Sequence, residues 1–140
     1  LGCQRALPGL PPRYRAAQIK GKGDFLAAVG NLEDNRVLKA LKRAVRSKGP
    51  PILAIPLAES QRRNHHEARR SDHAAFWDRD IPAVMLTDTA NFRNPNYHTE
   101  KDVPETLDPE FLREGTLTVR TALLEIINGH VRPTEPPRRE

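Results

Sequence analysis

Short apolar runs alternate along the chain with longer segments in which apolar residues recur every three or four positions. The runs at 24–29, 52–57 and 81–86 are each short, with a composition typical of buried strands. Pro82 must lie near the start of the third run, because proline cannot donate a hydrogen bond to a strand ladder. The other segments have the spacing of amphipathic helices. The pattern therefore predicts strands and helices in alternation.

Three helices are expected from this spacing and from the residues at their ends. The first is capped by Asp34 and ends before Gly49, and the second is a short helix that has Ser71 as its N-cap and contains Trp77. The third begins at Asp108, a capping acid followed by proline. Its apolar stripe consists of Leu112, Val119, Leu123, Ile126 and Ile127.

The alternation of elements predicts an α/β layered fold, in which a mostly parallel sheet carries helices on its faces. Segments 59–70 and 87–106 are polar and lack a regular period, so both are predicted to be loops. Ligands in such folds gather beyond the carboxyl ends of the strands. The loop at 87–106 follows the last predicted strand, so we expect the chemistry of the protein there.

Composition divides the chain into three parts. Residues 1–22 form an irregular lead-in rich in proline and glycine, residues 23–129 hold the predicted strands and helices, and residues 130–140 are predicted to be a disordered tail. At 140 residues the chain is long enough for one domain with a real core. It starts at Leu1 without an initiator methionine or a signal peptide, which suggests a piece of a longer protein.

The charge balance is basic, with 23 Lys and Arg against 18 Asp and Glu and an isoelectric point near 9.8. The cations are scattered, and the 5% of aromatic residues do not accompany the arginines in a stacking pattern. We interpret the charge as solvated surface rather than a nucleic-acid footprint, although charge alone leaves a small basic nucleic-acid binder as an alternative. Because no apolar run approaches the ~20 residues of a membrane-spanning helix, a membrane span is not expected.

The residues with the clearest chemical potential lie in the loop at 87–106. His98 follows Tyr97 there, and imidazole is a good zinc ligand while a phenol can donate to an oxyanion. A Tyr-His pair is also common as a packed or solvent-facing feature. Asp72 has two interpretations as well, since it can orient a group in a site or cap a helix. His66 and Glu67 resemble the start of a zinc-binding helix motif. The second histidine that this motif needs on the next turn is absent.

Several segments in order resemble the zinc aminopeptidases of metallopeptidase family 28. The resemblance rests on residues 70–78, 81–88 and 92–99, followed by Asp102, and on residues 23–31 upstream. It covers about residues 21–127. Bacterial leucyl aminopeptidases belong to this family, and glutaminyl cyclases are structural relatives. The resemblance implies a three-layer α/β/α sandwich and a two-zinc site that hydrolyses peptide bonds at free N-termini of peptides or proteins.

The resemblance also assigns roles to individual residues. His98 matches the last zinc-ligand histidine of the family, and Tyr97 matches a tyrosine that stabilises the oxyanion in some members. Ser71 and Asp72 match a family motif that lines the site but does not bind the metal ions directly. Phe92 and Arg93 are the corresponding candidates for the substrate pocket.

The other zinc ligands of the family come from the N-terminal half of the domain, and their motifs do not occur in this sequence. The chain therefore looks like the C-terminal half of a peptidase domain that needs its missing N-terminal half. We expect it to be inactive alone, because even one catalytic zinc normally takes three protein ligands. Half a layered sheet should also expose a strand edge and helix-packing faces, which predicts marginal stability.

A noncatalytic protein-interaction module on the same fold is the alternative to an enzyme fragment. The missing ligand motifs are compatible with it, whereas the intact Tyr97–His98 loop favours the enzyme. Members of the family are often exported, but no targeting segment is visible here, so the sequence assigns no compartment.

Overall fold

The computed structural model of this protein describes residues 24–33, 35–45, 49–92 and 94–129. The predicted lead-in, the proposed cap Asp34, the pocket candidate Arg93 and the predicted tail lie outside these described residues. Within them, no helix is both long and apolar enough to pass through a bilayer.

Three strands form one mixed sheet, so the α/β class is confirmed. They are β1 (Leu26–Asn31), β2 (Ile52–Leu57) and β3 (Val84–Thr87), in the order β2-β1-β3. β1 and β2 are parallel, whereas β3 is antiparallel to β1. Only the β1–β2 pair of the described sheet is parallel, so the expectation of a mostly parallel sheet is met in part.

The direction of β3 follows from the connection that precedes it. Val84 begins β3 opposite Gly30, near the carboxyl end of β1, and Thr87 ends it opposite Ala27. The chain between Leu57 and Val84 stays near that carboxyl end, so the strand that follows must run back across the sheet. As a result, the loop at 87–106 leaves the sheet where β1 begins. The prediction that it follows the carboxyl edge of a parallel sheet is wrong.

Four α-helices and three short 3-10 turns complete the described chain. The segment predicted as a loop at 59–70 is a helix followed by a 3-10 turn. It lacks an apolar stripe, and local polar contacts hold it instead: Ala58 N donates to Gln61 Oε1 at 3.0 Å, and the Arg63 guanidinium lies 2.7 Å from Glu59 Oε1. The helices are α1 (Arg36–Arg43), α2 (Glu59–Asn64), α3 (His73–Trp77) and α4 (Pro109–Ile127), and the 3-10 turns are His66–Arg69, Ala90–Phe92 and Pro104–Thr106.

Alternate residues of the central strand β1 face two separate apolar clusters. Ala27 and Val29 pack with a cluster that contains Trp77 of α3, whereas Ala28 packs with one that contains Leu38 of α1. The period of two residues along a strand explains this division. Both faces of the sheet are thus covered in the part of the chain that the structure describes.

The long helix α4 begins as the sequence predicts. Asp108 Oδ1 accepts hydrogen bonds from the amides of Glu110 and Phe111, each at 3.0 Å. Gly115, which is unfavourable inside a helix, allows α4 to approach β1 closely: a Cβ there would lie 3.3 Å from Leu26 Cδ1. The apolar stripe of α4, however, is largely exposed.

Candidate functional site

A buried polar cluster fixes the carboxyl end of β1 to α3. Asn31 is the last residue of β1, and its Oδ1 accepts hydrogen bonds from Trp77 Nε1 and from the Ala83 amide, both at 3.1 Å. The indole N–H also points to the Ala83 carbonyl at 3.1 Å. Asn31 and Trp77 are both buried, so these bonds satisfy polar groups that have little access to water. They join three segments that are far apart in sequence.

His73, the first residue of α3, is buried beside this cluster. Its Nε2 lies 2.6 Å from the Ala68 carbonyl oxygen, so Nε2 carries the proton and donates it. Its Nδ1 is buried and has no hydrogen-bond partner within the described residues. The ring stands edge-on to Trp77, with 4.4 Å between centroids. Burial lowers the pKa of His73, and the bond to the Ala68 carbonyl offsets only part of this effect.

The lowered pKa of His73 predicts that the chain loses stability in mild acid. Unfolded histidine has a pKa of about 6.5, so below that pH the unfolded chain takes up a proton that the folded ring resists. The stabilising contribution is complete above the unfolded pKa and is lost as the pH falls through the folded one. We expect the urea midpoint to drop more between pH ~7.5 and ~5.5 in the wild type than in His73→Gln. Equal drops in both proteins would contradict this assignment.

Ser71 and Asp72 lie immediately before α3 and are both exposed. The sequence predicts Ser71 as the cap of this helix, but Asp72 occupies the N-cap position, and no side-chain capping bond forms there. The contact that starts the helix is a backbone one, from the Ala74 amide to the Ser71 carbonyl at 3.1 Å. The motif therefore supplies the N-cap residue one position later than expected and without a side-chain capping bond. The helix is held instead through the buried side chains of His73 and Trp77.

A cavity of about 400 Å³ lies next to this motif, on the face of the sheet that α3 covers. It brings together three of the residues singled out in the sequence, namely Ser71, Phe92 and Tyr97. Asp72 and His98 do not line it. The sheet contributes much of its apolar lining, through Ala27, Val29, Ile55, Leu57, Met85 and Leu86.

Arg70 connects the two loops at this cavity. Its Nη1 donates to Glu67 Oε2 at 2.9 Å on one side and to Asn91 Oδ1 at 2.8 Å on the other. The first partner belongs to the 3-10 turn before α3, and the second belongs to the loop after β3. The segment that carries Ser71 is thereby tied to the loop that carries Tyr97.

Side-chain hydrogen bonds fold the Tyr97–His98 loop on itself. Asn94 Oδ1 accepts from the Asn96 amide at 2.9 Å, and Asn94 Nδ2 donates to Asp102 Oδ1 at 3.2 Å. The rings of Tyr97 and His98 are stacked, with centroids 4.0 Å apart and planes inclined by 14°. His98 has a φ of +57°, a left-handed conformation that costs a non-glycine residue energy and that clusters at functional sites.

The described residues do not fit a metal centre by themselves. Among residues 24–33, 35–45, 49–92 and 94–129 there is no group of three or more His, Cys, Asp or Glu side chains that could hold a metal ion. Two other acids of this loop have roles in its folding, since Asp88 accepts from the Ala90 amide and Asp102 from Asn94. His98 is therefore a single candidate ligand here.

Sequence reasoning missed Arg62, which it treated as solvated surface. The Arg62 side chain is only 12% exposed, and its Nη1 lies 2.6 Å from Glu33 Oε2 and 2.7 Å from the Leu57 carbonyl oxygen. Its guanidinium carbon lies 5.9 Å from the centroid of the Trp77 ring. Burial opposes ionisation of Glu33, but hydrogen bonds, including the one from Arg62, outweigh it and lower the pKa of that carboxyl group. Arg62 thus fastens α2 to the carboxyl ends of both parallel strands.

Comparison with known proteins gives one family and one curated relative. Residues 20–123 match Peptidase family M28. The chain is 35% identical over 95 residues to the uncharacterized protein YfbL of Escherichia coli strain K12, a match that includes 62% of this chain and 26% of YfbL. The chain therefore spans about a quarter of that relative's length. No solved structure matches.

Proposed function

From the premise that this chain belongs to peptidase family M28, we propose that it is the C-terminal part of an aminopeptidase-type domain. The family match supports a peptidase-type function for the protein, and the proposal adds the substrate, the free N-terminus of a peptide or protein. The complete domain is a three-layer α/β/α sandwich in this proposal. The mixed sheet with clusters on both faces is compatible with that architecture.

The observation that carries the proposal is the shared cavity of Ser71, Phe92 and Tyr97. These residues come from two loops that Arg70 ties together, and the cavity offers an apolar wall next to polar groups. Such a combination suits a peptide, whose side chain needs an apolar surface and whose carbonyl needs donors. In the proposed role the Tyr97 hydroxyl donates to the oxyanion, and Phe92 contacts the substrate side chain. Arg93 remains a pocket candidate from the sequence alone.

The proposed cofactor is a pair of zinc ions in the complete domain. The described residues of this chain do not supply a ligand set for them. His98 is proposed as one ligand, and the others are proposed to come from the part of the domain that this chain does not contain. Activity is then a property of the complete domain, and the isolated chain is expected to lack it.

The proposal is tested in a chimera in which residues 20–123 of this chain replace the corresponding region of YfbL, referred to below as the YfbL chimera. We expect the chimera, supplied with zinc, to hydrolyse aminoacyl anilides. His98→Ala should lower this activity by at least about 100-fold, because losing a ligand should cost at least as much as the ~10–100-fold typical of losing a ligand's hydrogen-bond partner. The matched control is Lys101→Ala, which truncates an exposed side chain of the same loop that lines neither cavity and should change activity less than about twofold.

The noncatalytic interaction module makes the opposite prediction. A folded, zinc-supplied chimera that hydrolyses none of a panel of aminoacyl anilides and peptides would refute the enzyme proposal and leave the interaction module. Equal losses in His98→Ala and Lys101→Ala would refute the metal role of His98.

A further inference from the structure

The large apolar residues of helix α4 do not lie on the face that the structure buries. Its buried positions are Glu114, Gly115, Thr118 and Ala122, which are small or polar. Three residues of its apolar stripe are exposed, Leu112 at 59%, Leu123 at 51% and Ile127 at 76%. An amphipathic helix normally buries its apolar face against a partner. The face of α4 that is best suited for packing therefore has no cover within the described residues.

This face forms one wall of a large apolar groove. The groove has a volume of about 1050 Å³ and runs between α4 and the start of β1. From Leu112 to Ile127 it follows the helix over roughly 22 Å, at about 1.5 Å per residue. Its charged lining residues are three acids and one base, Asp24, Asp88, Asp108 and Arg120. The groove is thus long and apolar along its length, with an acidic excess among its charges.

We propose that this groove is the packing surface for the remainder of the M28 domain, supplied by protein sequence that this chain does not contain. The inference rests on the family membership used under the proposed function, but it needs neither metal nor catalysis. YfbL supports it, because the matched region is only 26% of that protein, so most of the relative's chain lies outside the region that this structure represents. The occupant is an apolar helix or strand of that remainder, flanked by basic residues that complement the acids.

The dimensions and position of the groove favour such a segment over a small molecule. A stripe that continues over four turns of α4 matches the side-chain spacing of a packed helix or strand, whereas small-ligand sites are compact and carry convergent polar groups. The neighbouring β3 has a strand on only one side within the described sheet, and Leu86 on it is 36% exposed. The unpaired edge of β3 and the exposed Leu86 show that the described sheet, like α4, has surface available for further packing.

The experiment compares cysteine reactivity in the isolated chain and in the YfbL chimera, with Cys3 replaced by serine where it is present. Leu112→Cys probes the groove. Glu110→Cys is the matched control, because Glu110 has a similar side-chain exposure of 63% but does not line the groove. We expect Leu112→Cys to react with a charged thiol reagent at least about tenfold more slowly in the chimera than in the isolated chain. Glu110→Cys should change less than about threefold.

Each other outcome overturns the proposal. Equal reactivity of Leu112→Cys in both proteins means that the remainder of the domain does not cover the groove. If Leu112→Cys reacts slowly in the isolated chain at every protein concentration, the chain covers its own groove. If it reacts slowly only at high protein concentration, a second copy of the chain covers the groove. If the chimera is insoluble, the chain is co-expressed with YfbL that lacks its matched region, and failure to protect Leu112→Cys there also counts against the proposal. Because no outcome depends on hydrolysis, an inactive but protected chimera would refute the enzyme proposal alone.

Discussion

Replacing Trp77 by alanine is expected to destabilise the chain by about 3–5 kcal/mol, the range for removing a buried aromatic side chain. Trp77 is 5% exposed and belongs to the cluster on one face of the sheet. Its indole N–H also satisfies Asn31 Oδ1 and the Ala83 carbonyl, and its ring contacts His73. Since small domains are stable by only about 5–15 kcal/mol, a loss of this size removes at least about a fifth of the free energy of unfolding. Urea unfolding followed by far-ultraviolet circular dichroism measures the effect.

Two control variants separate packing from hydrogen bonding at this position. Trp77→Phe keeps an apolar ring and loses the N–H group, so it should cost less than Trp77→Ala. Its remaining cost reflects the lost bonds from the indole to the Ala83 carbonyl and to Asn31 Oδ1, which keeps its bond from the Ala83 amide. Phe76→Ala changes the neighbouring aromatic residue, which is 51% exposed, and should cost under about 1 kcal/mol. If Trp77→Ala is as stable as Phe76→Ala, the cluster at the end of β1 does not hold α3.

Tyr97→Phe is expected to lower kcat of the YfbL chimera by about 10²–10³-fold while KM changes little. The substitution removes one hydroxyl from a residue that lines the cavity shared with Ser71 and Phe92. Loss of a single oxyanion donor has an effect of this size, because the donor acts on charge that develops in the transition state. Steady-state kinetics with an aminoacyl anilide measures both parameters.

The phenyl ring of Tyr97→Phe preserves the stack on His98, so the variant tests the hydroxyl rather than the fold of the loop. Phe92→Leu is the companion variant, and it should raise KM more than it lowers kcat if Phe92 contacts the substrate side chain. A Tyr97→Phe chimera with kcat within about threefold of the parent would mean that Tyr97 serves to position His98 by stacking and does not touch the substrate.

The apolar periodicity predicts the elements of the fold well and their arrangement less well. The three strands, α1 and the capped start of α4 lie where the pattern places them. The bounds of β2 match the pattern, those of β1 and β3 shift by one to three residues, and α1 ends at Arg43, ahead of the expected stop before Gly49. The direction of β3 is not encoded in its own residues, because it depends on where the preceding chain re-enters the sheet. α2 is also invisible to periodicity, since polar side chains rather than an apolar stripe stabilise it.

The candidate site shows the same division between local and long-range information. Tyr97 and His98 are adjacent, so a short motif is enough to single them out. The bonds from Trp77 and Ala83 to Asn31 span 46 and 52 residues, and no local pattern signals them. The burial of Arg62 escapes sequence reasoning for the same reason, because its partner Glu33 lies 29 residues away. The stripe of α4 predicts a helix but not its orientation, since the buried face is decided by what packs against it.

Zinc binding by equilibrium dialysis tests the central claim most directly, namely that this chain carries one ligand of a metal site that is completed elsewhere. The measurement uses the isolated chain and its His98→Ala variant at micromolar zinc. The account predicts well under one zinc ion per chain in both proteins, because a single histidine does not hold zinc tightly. Tight binding of one or two zinc ions that is lost in His98→Ala would contradict it and would make the chain a metal-binding unit in its own right.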